Sequence, residues 1–180
     1  MSDSSISIVP KISDYPNHKA KAKEILDWLV SLDIVKPEPS NCVLGSDYGY
    51  AISNGGRKVI NPIYYFPIDS MINGLEIVTV RQVFINVTER IEELICPNCK
   101  MDISNDDWDY FNEWFEGLTN NLKCPLCKVG TEIHEYKFKP EWGFSNLGFI
   151  FWNWQELSDE FIKEFKQKLG CEISVVYRQL

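Results

Sequence analysis

Two short stretches, Cys96-Pro97-Asn98-Cys99-Lys100 and Cys124-Pro125-Leu126-Cys127-Lys128, are near copies of each other and constrain this chain more than anything else in it. A C-x-x-C turn presents two thiolates on one side of a tight bend. Two such turns supply the four soft ligands that Zn²⁺ takes in a tetrahedron. Cys96, Cys99, Cys124 and Cys127 are therefore the expected ligands of one Zn²⁺ ion. Four protein ligands leave no open coordination position, so the expected site is structural rather than catalytic. The 24 residues between the pairs exceed the usual ~15–20, and a helix in the intervening segment accounts for the excess. A redox C-x-x-C instead needs one pair at a helix N-terminus behind a strand, which lowers one thiol's pKa. Two pairs, both with proline in second place, fit metal knuckles better. Cys42 and Cys171 stand alone and read as small buried hydrophobes. His134 reads as a strand histidine facing solvent or a neighbour, not as a ligand.

The segment between the knuckles is distinctive. Residues 101–122 hold six acids (Asp102, Asp106, Asp107, Asp109, Glu113 and Glu116) and no base, so most of the chain's net charge of −8 sits here. Ser104 or Asn105 can cap a helix over 106–116, with Trp108, Phe111, Phe115 and Leu118 on one face and Gly117 as its stop. Asp106, Asp107, Asp109, Glu113 and Glu116, with Trp108 and Trp114, form the expected docking surface for a basic protein partner. Nucleic acid is the weaker expectation, because this insert repels phosphates where nucleic-acid ribbons interleave Lys and Arg. Lys100, Lys123 and Lys128, with Lys163, Lys166 and Lys168, are the residues such a reading would use.

A chain of 180 residues suits one domain. Residues 1–13 are Ser-rich and read as a loose tail, or at most an edge strand, ahead of a single domain over 14–180. A helix is expected over 16–32, capped by Asp14 and broken by Pro37 and Pro39. Strands are expected over 48–53 and 58–60 around an Asn54-Gly55-Gly56 turn, within 75–86, over 131–138 and over 148–154. Ser158 caps a second helix that Gly170 ends, and a strand over 172–177 closes the chain. Alternation makes Phe149, Phe151, Trp152 and Trp154 half core, with one face left for a partner. The expected fold class is α+β: an antiparallel or mixed sheet with flanking helices and, at about 94–130, an inserted four-cysteine zinc-ribbon element containing an acidic helix.

The first residues lack a basic region followed by a long apolar run, and the uncharged stretch 142–155 is too short and polar to span a bilayer. A soluble cytoplasmic protein without a membrane segment is expected. Phosphate-loop, dinucleotide, nucleophile-elbow and zincin motifs are absent, and two histidines leave little material for histidine-based catalysis. Three function classes follow. The first is a non-enzymatic protein–protein interaction protein, of which a bacterial immunity protein or inhibitor neutralising a basic toxin is one form. The second is an accessory protein for nucleic acid or for transcription and translation. The third, least supported, is an enzyme with an unrecognised active site.

Several stretches, Tyr15-Pro16-Asn17-His18-Lys19-Ala20, Asn41-Cys42-Val43-Leu44-Gly45-Ser46-Asp47, Trp142-Gly143-Phe144 and Phe151-Trp152-Asn153-Trp154, accompany the two C-P-x-C knuckles. With them the chain resembles a family of small, uncharacterised bacterial cytosolic proteins, over about 12–180. The resemblance implies a bacterial source and a single domain bearing a zinc ribbon. It implies no activity.

Overall fold

The computed structural model describes residues 3–61, 66–85, 90–106 and 108–180, with Trp108 described by its backbone alone. Asp107 and the Trp108 side chain, both in the expected docking surface, lie outside the described residues.

The chain begins with strand β1 (Ser4–Pro10), followed by helix α1 (His18–Ser31), β2 (Val35–Ser40), β3 (Gly49–Ile52) and β4 (Gly74–Val78). Ala22, Ile25 and Leu29, spaced three and four apart, form the buried stripe of α1. The helix starts behind Asn17 in the left-handed conformation, and no side chain caps it. Asp14, the expected cap, accepts hydrogen bonds from Arg81 and Asn120 instead. The prolines do not end the helix: α1 stops at Ser31, where Asp33 at φ 56° reverses the chain, and Pro37 and Pro39 lie beyond it in β2, an edge strand where a missing N–H costs little. The hairpin expected around 54–56 does not form. Residues 54–58 make a 3₁₀ turn, and β3 pairs with β2 and β4.

The last part of the chain supplies β11 (Gly148–Trp152), α3 (Asp159–Leu169) and β12 (Ile173–Gln179), numbered to follow the six strands and one short helix of the intervening segment. Helix α3 follows its sequence signals. Ser158 Oγ accepts from Phe161 N–H at 3.2 Å, and Gly170, at φ 70°, ends it in a conformation that disfavours a side chain. Six strands form one antiparallel sheet in the order β12-β1-β11-β4-β3-β2.

The expected loose tail is thus an interior strand. β1 lies between β12 and β11, and Ile6, Ile8 and Val9 are buried. Its serines misled: Ser5 and Ser7 are also buried, on a strand whose ladders run along both sides. Helices α1 and α3 cover one face of the sheet, where Trp28 stacks on Phe161 and Phe149 meets Phe165 edge-on. Cys42, Val43 and Phe84 pack with Ile150, Trp152 and Val176 on the other face. Strand β11 is therefore buried on both faces, and no free face remains for a partner at Phe149, Phe151 and Trp152; Trp154, just beyond it, is buried too.

Between β4 and β11 the chain makes one long excursion, residues 79–147, whose ends are held together because Val78 pairs with Gly148. The outward and returning arms pair in nested fashion. β5 (Gln82–Phe84) meets β10 (Gly143–Ser145), and β6 (Glu93–Ile95) meets β9 (Lys137–Lys139). The short helix α2 (Asn112–Phe115) precedes the innermost hairpin of β7 (Asn121–Lys123) and β8 (Gly130–Glu132). The knuckle insert expected at 94–130 sits inside this longer excursion. Its own core contains Leu94, Ile103, Trp114, Leu122, Ile133 and Phe144. A Cβ on Gly148 would run into the Phe84 ring, so glycine at that position lets β5 close over β11.

Arg81, on the outward arm, fastens the acidic segment to the base of the excursion. Its guanidinium lies 4.0 Å from the Trp114 ring centroid and donates to the carbonyls of Trp114 (2.7 Å) and Thr119 (2.9 Å) and to Asn120 Oδ1 (2.9 Å). Its ion pair with the largely exposed Asp14 at 3.0 Å contributes little in water. The carbonyl bonds and the stacking dominate, since a charged donor to a sheltered acceptor gives roughly 1.5–3 kcal/mol. Arg81→Ala is therefore expected to lower the unfolding free energy by about 2–4 kcal/mol, measured by urea denaturation. Asp14→Asn should cost about 0.5 kcal/mol.

Candidate metal centre

Each knuckle is built the same way. Cys96 N–H donates to Met101 O and Lys100 N–H to Cys96 O; Cys124 N–H donates to Val129 O and Lys128 N–H to Cys124 O, all at 3.0 Å. Lys100 and Lys128 close the two turns at φ 61° and 64°, a left-handed conformation that reverses the chain right after the second thiol. The first turn projects from β6 and the second from the tip of the β7–β8 hairpin, and the nested pairing of the excursion brings them face to face.

The four Sγ atoms lie within 4.8 Å of one another. Across the knuckles, Cys96 to Cys127 and Cys99 to Cys124 are both 3.9 Å apart. That is far beyond a disulfide bond at ~2.05 Å. It matches the edge of a tetrahedron with metal–sulfur bonds of ~2.3 Å, which is about 3.8 Å. The donor set, the spacing and the burial of Cys96 and Cys124 together fit a metal ion held by these four residues. Among the described residues this is the one group of metal-ligating side chains that converges in this way.

Backbone dipoles prepare the thiols. N–H groups of Asn98 and Cys99 face Cys96, those of Leu126 and Cys127 face Cys124, and those of Met101 and Val129 face Cys99 and Cys127. The sulfurs respond unequally. Asn98 Nδ2 reaches across at 3.5 Å from Cys127 Sγ and, with the Val129 N–H, pulls that thiol down to about 6. Burial pushes Cys124 up to about 11 despite its N–H donors. At Cys96 burial works upward, but the N–H groups of Cys99 and Asn98 and the neighbouring thiols outweigh it and the net shift is downward. At Cys99 the Met101 N–H works downward, while burial and the Cys96 and Cys127 thiols leave the net shift upward. One low thiol beside a high one is the expected state of four crowded sulfurs. A cation removes that conflict by favouring the thiolate at all four.

Two supporting residues carried no signal in the sequence as read. Asn98 sits at a variable knuckle position, and its role depends on which turn faces it. Asp102 accepts from Leu94 N–H at 3.0 Å and Ser104 N–H at 2.9 Å, tying the first knuckle to its own strand and holding its carboxyl below the usual range. His134 lies in a 3₁₀ turn rather than a strand. It is nearly enclosed, with Nδ1 2.7 Å from Glu132 and Nε2 2.8 Å from Phe144 O, so it ties the base of the β7–β8 hairpin to β10.

The acidic segment differs from the expected helix. Residues 108–111 form a 3₁₀ turn that passes into the single turn of α2, and Gly117, at φ 76°, ends it as expected. Phe111, at the junction of the two turns, and Trp114, three residues on, both face inward. Trp114 is 0% exposed, donates from Nε1 to Ser13 Oγ at 2.9 Å and packs edge-on against Phe144. It belongs to the core, not to a docking surface. Phe115 and Leu118, expected inside, are 61% and 72% exposed. Asp109, Glu113 and Glu116 are exposed beside them, and Asp106 is half-buried.

No protein-family model, curated protein or solved structure matches this chain. Among the described residues no helix is long and apolar enough to cross a membrane.

Asn98→Ala should raise the Cys127 thiol and weaken metal retention roughly tenfold in a chelator competition. Because the folded protein holds Asp102 below its usual pKa, its carboxylate stabilises the knuckle above the ordinary carboxylate range, and that contribution disappears as pH falls through the depressed value. Asp102→Asn should lower the thermal midpoint at pH 7 and reduce the loss of stability between about pH 5 and pH 3, read by calorimetry across that range.

Proposed function

We propose that Cys96, Cys99, Cys124 and Cys127 hold one structural Zn²⁺ as a zinc ribbon. The metal-braced excursion presents an acidic, partly apolar surface to a basic protein partner. The observation that carries the metal reading is the set of four sulfurs within 4.8 Å of one another, 3.9 Å apart across the knuckles, with no fifth donor joining them among the described residues. Thiolate donors select zinc over hard cations, and four of them leave no position for a substrate, so the ion braces rather than reacts. Binding and local folding are then one process.

The partner reading rests on how the excursion divides its residues. Trp114 and Phe111 are spent inside. Phe115, Leu118, Asp109, Glu113 and Glu116 face solvent on a segment that Arg81 fastens to the base of the excursion. An apolar pair rimmed by carboxylates suits a partner that offers lysine or arginine around an apolar centre. A toxin or nuclease of basic character is such a partner, and an immunity or inhibitor protein of cytoplasmic, bacterial origin is the concrete form proposed. Exposed Lys100, Lys123 and Lys128 around the knuckles support the nucleic-acid alternative less well, because the same excursion carries the acids.

Protein purified under reducing conditions should contain about one zinc per chain. Far less would remove the metal reading. Stripping the metal, or Cys124→Ser, should unfold the excursion and release Trp114, seen as a red shift and a loss of near-ultraviolet dichroism. The variant Asp109→Asn/Glu113→Gln/Glu116→Gln should keep its zinc and thermal midpoint. It should lose any protein that the parent retains at low salt and releases at high salt. Unchanged recovery by this variant would overturn the partner reading, and salt-dependent binding of RNA by the parent would favour the alternative.

A further inference from the structure

The two edges of the main sheet are protected very differently. At one edge, β2 carries Pro37 and Pro39 with Lys36 and Glu38, and its register with β3 is interrupted. Prolines, charges and irregularities are the devices by which proteins keep a sheet edge from pairing with another chain. At the other edge, β12 (Ile173–Gln179) is protected much less, with Arg178 as its one charged residue. It contains no proline or lysine, and its register with β1 runs unbroken from Ser4↔Gln179 to Pro10↔Ile173.

The free side of β12 can be assigned residue by residue. Lys11 N–H donates to Glu172 O and Leu180 N–H to Asp3 O, so the even-numbered residues direct their main-chain groups toward β1. Residues alternate along an antiparallel ladder. The N–H and C=O groups of Ile173, Val175, Tyr177 and Gln179 therefore point away from the sheet. Ile173 and Val175 pack partly under α3, and Tyr177 is 49% exposed on the same face.

From this edge we infer that the protein forms a two-fold dimer in which β12 pairs antiparallel with β12 of a second copy, about an axis at Val175, making the two sheets continuous. The occupant follows from the sequence of the edge itself, which is complementary to its own reverse. With Val175 opposite its partner's Val175, Ile173 meets the partner's Tyr177, a β-branched residue against an aromatic one. Glu172 meets the partner's Arg178, and among the described residues Arg178 has no ion-pair partner within one chain. Every exposed main-chain group from Ile173 to Tyr177 gains a partner, as an isologous interface requires.

Helix α3 carries the same two-fold complementarity. Its first turn holds Asp159 and Glu160 and its last turn Lys166 and Lys168. Its acidic end lies by Tyr177, whose hydroxyl pKa is raised by burial and then by Glu156 and Asp159. Its basic end lies by Glu172, which Lys166 already holds at 2.6 Å. The antiparallel axis sets the acidic end of one helix toward the basic end of the other, opposing the two helix dipoles. Any other register of β12 on itself loses the Glu172–Arg178 match, and a parallel arrangement sets like charges together.

Sedimentation velocity on the 180-residue chain, purified with zinc present, tests this. The parent should sediment as a dimer. Val175→Pro removes an N–H that faces away from β1, so the monomer's own ladder is untouched. It should sediment as a monomer with an unchanged circular dichroism spectrum. Arg178→Glu should weaken the dimer at least roughly tenfold, and Glu172→Arg/Arg178→Glu should restore it. A parent that remains monomeric at its highest soluble concentration overturns the inference. So does a dimer that survives Val175→Pro, or an Arg178→Glu defect that the double variant fails to repair. If Val175→Pro does not fold, the charge-reversal pair decides alone. Zinc content and partner recovery are read separately, so the dimer stands or falls apart from the proposed function.

Discussion

Val78 and Gly148 lie opposite each other across β4 and β11, and the rest of the structure hangs on that pairing. It places two central strands of the main sheet side by side, and it brings together the ends of an excursion of some seventy residues. Loop-closure entropy grows only slowly with length. The cost of so long an insertion is therefore modest once its ends are held by a ladder buried on both faces. Phe84, at the base of the excursion, lies over Gly148 and joins the two regions at the same place.

From that base the excursion builds inward. The ladder β5/β10 sets the direction, β6/β9 continues it, and β7/β8 closes it. Each step shortens the remaining loop, so the two knuckles arrive already oriented. A local core of Leu94, Ile103, Trp114, Leu122 and Ile133 fills the space behind the sulfurs. That core is small, and four thiols of unequal acidity sit at its tip. A cation at this point would satisfy the sulfurs and staple the two arms. This is the reason a structural metal suits a region with so little apolar interior of its own.

Acidity and metal site are two parts of one design in the proposed reading. The carboxylates of 109–116 are not part of the converging group of sulfurs. They ride on a 3₁₀ turn and a single helical turn that Trp114 and Arg81 anchor to Ser13, Asp14 and Phe144. Rigid attachment lowers the conformational cost of presenting Phe115 and Leu118 to a partner. The buried Trp114 is accordingly a support for the surface rather than a part of it.

What the sequence determined by itself was local chemistry. The four cysteines that converge are the four that their spacing picked out. Ser158 and Gly170 bound α3 as cap and stop rules require, and Gly117 ends the acidic turn. Each of these depends on atoms within a few residues. Tertiary structure decided whatever depends on which surfaces meet. A serine-rich start became an interior strand because β11 and β12 flank it, and Phe149 to Trp152 lost their free face because 42–43 and Phe84 cover it. Phe111 faces inward as expected, but Trp114 joins it in place of Phe115 and Leu118, because a 3₁₀ turn and a single helical turn replaced the expected longer helix. Asn98 gained its role only when the opposite knuckle came within 3.5 Å. A pattern along one chain specifies which side chains share a face, but what that face meets is set by residues a hundred positions away.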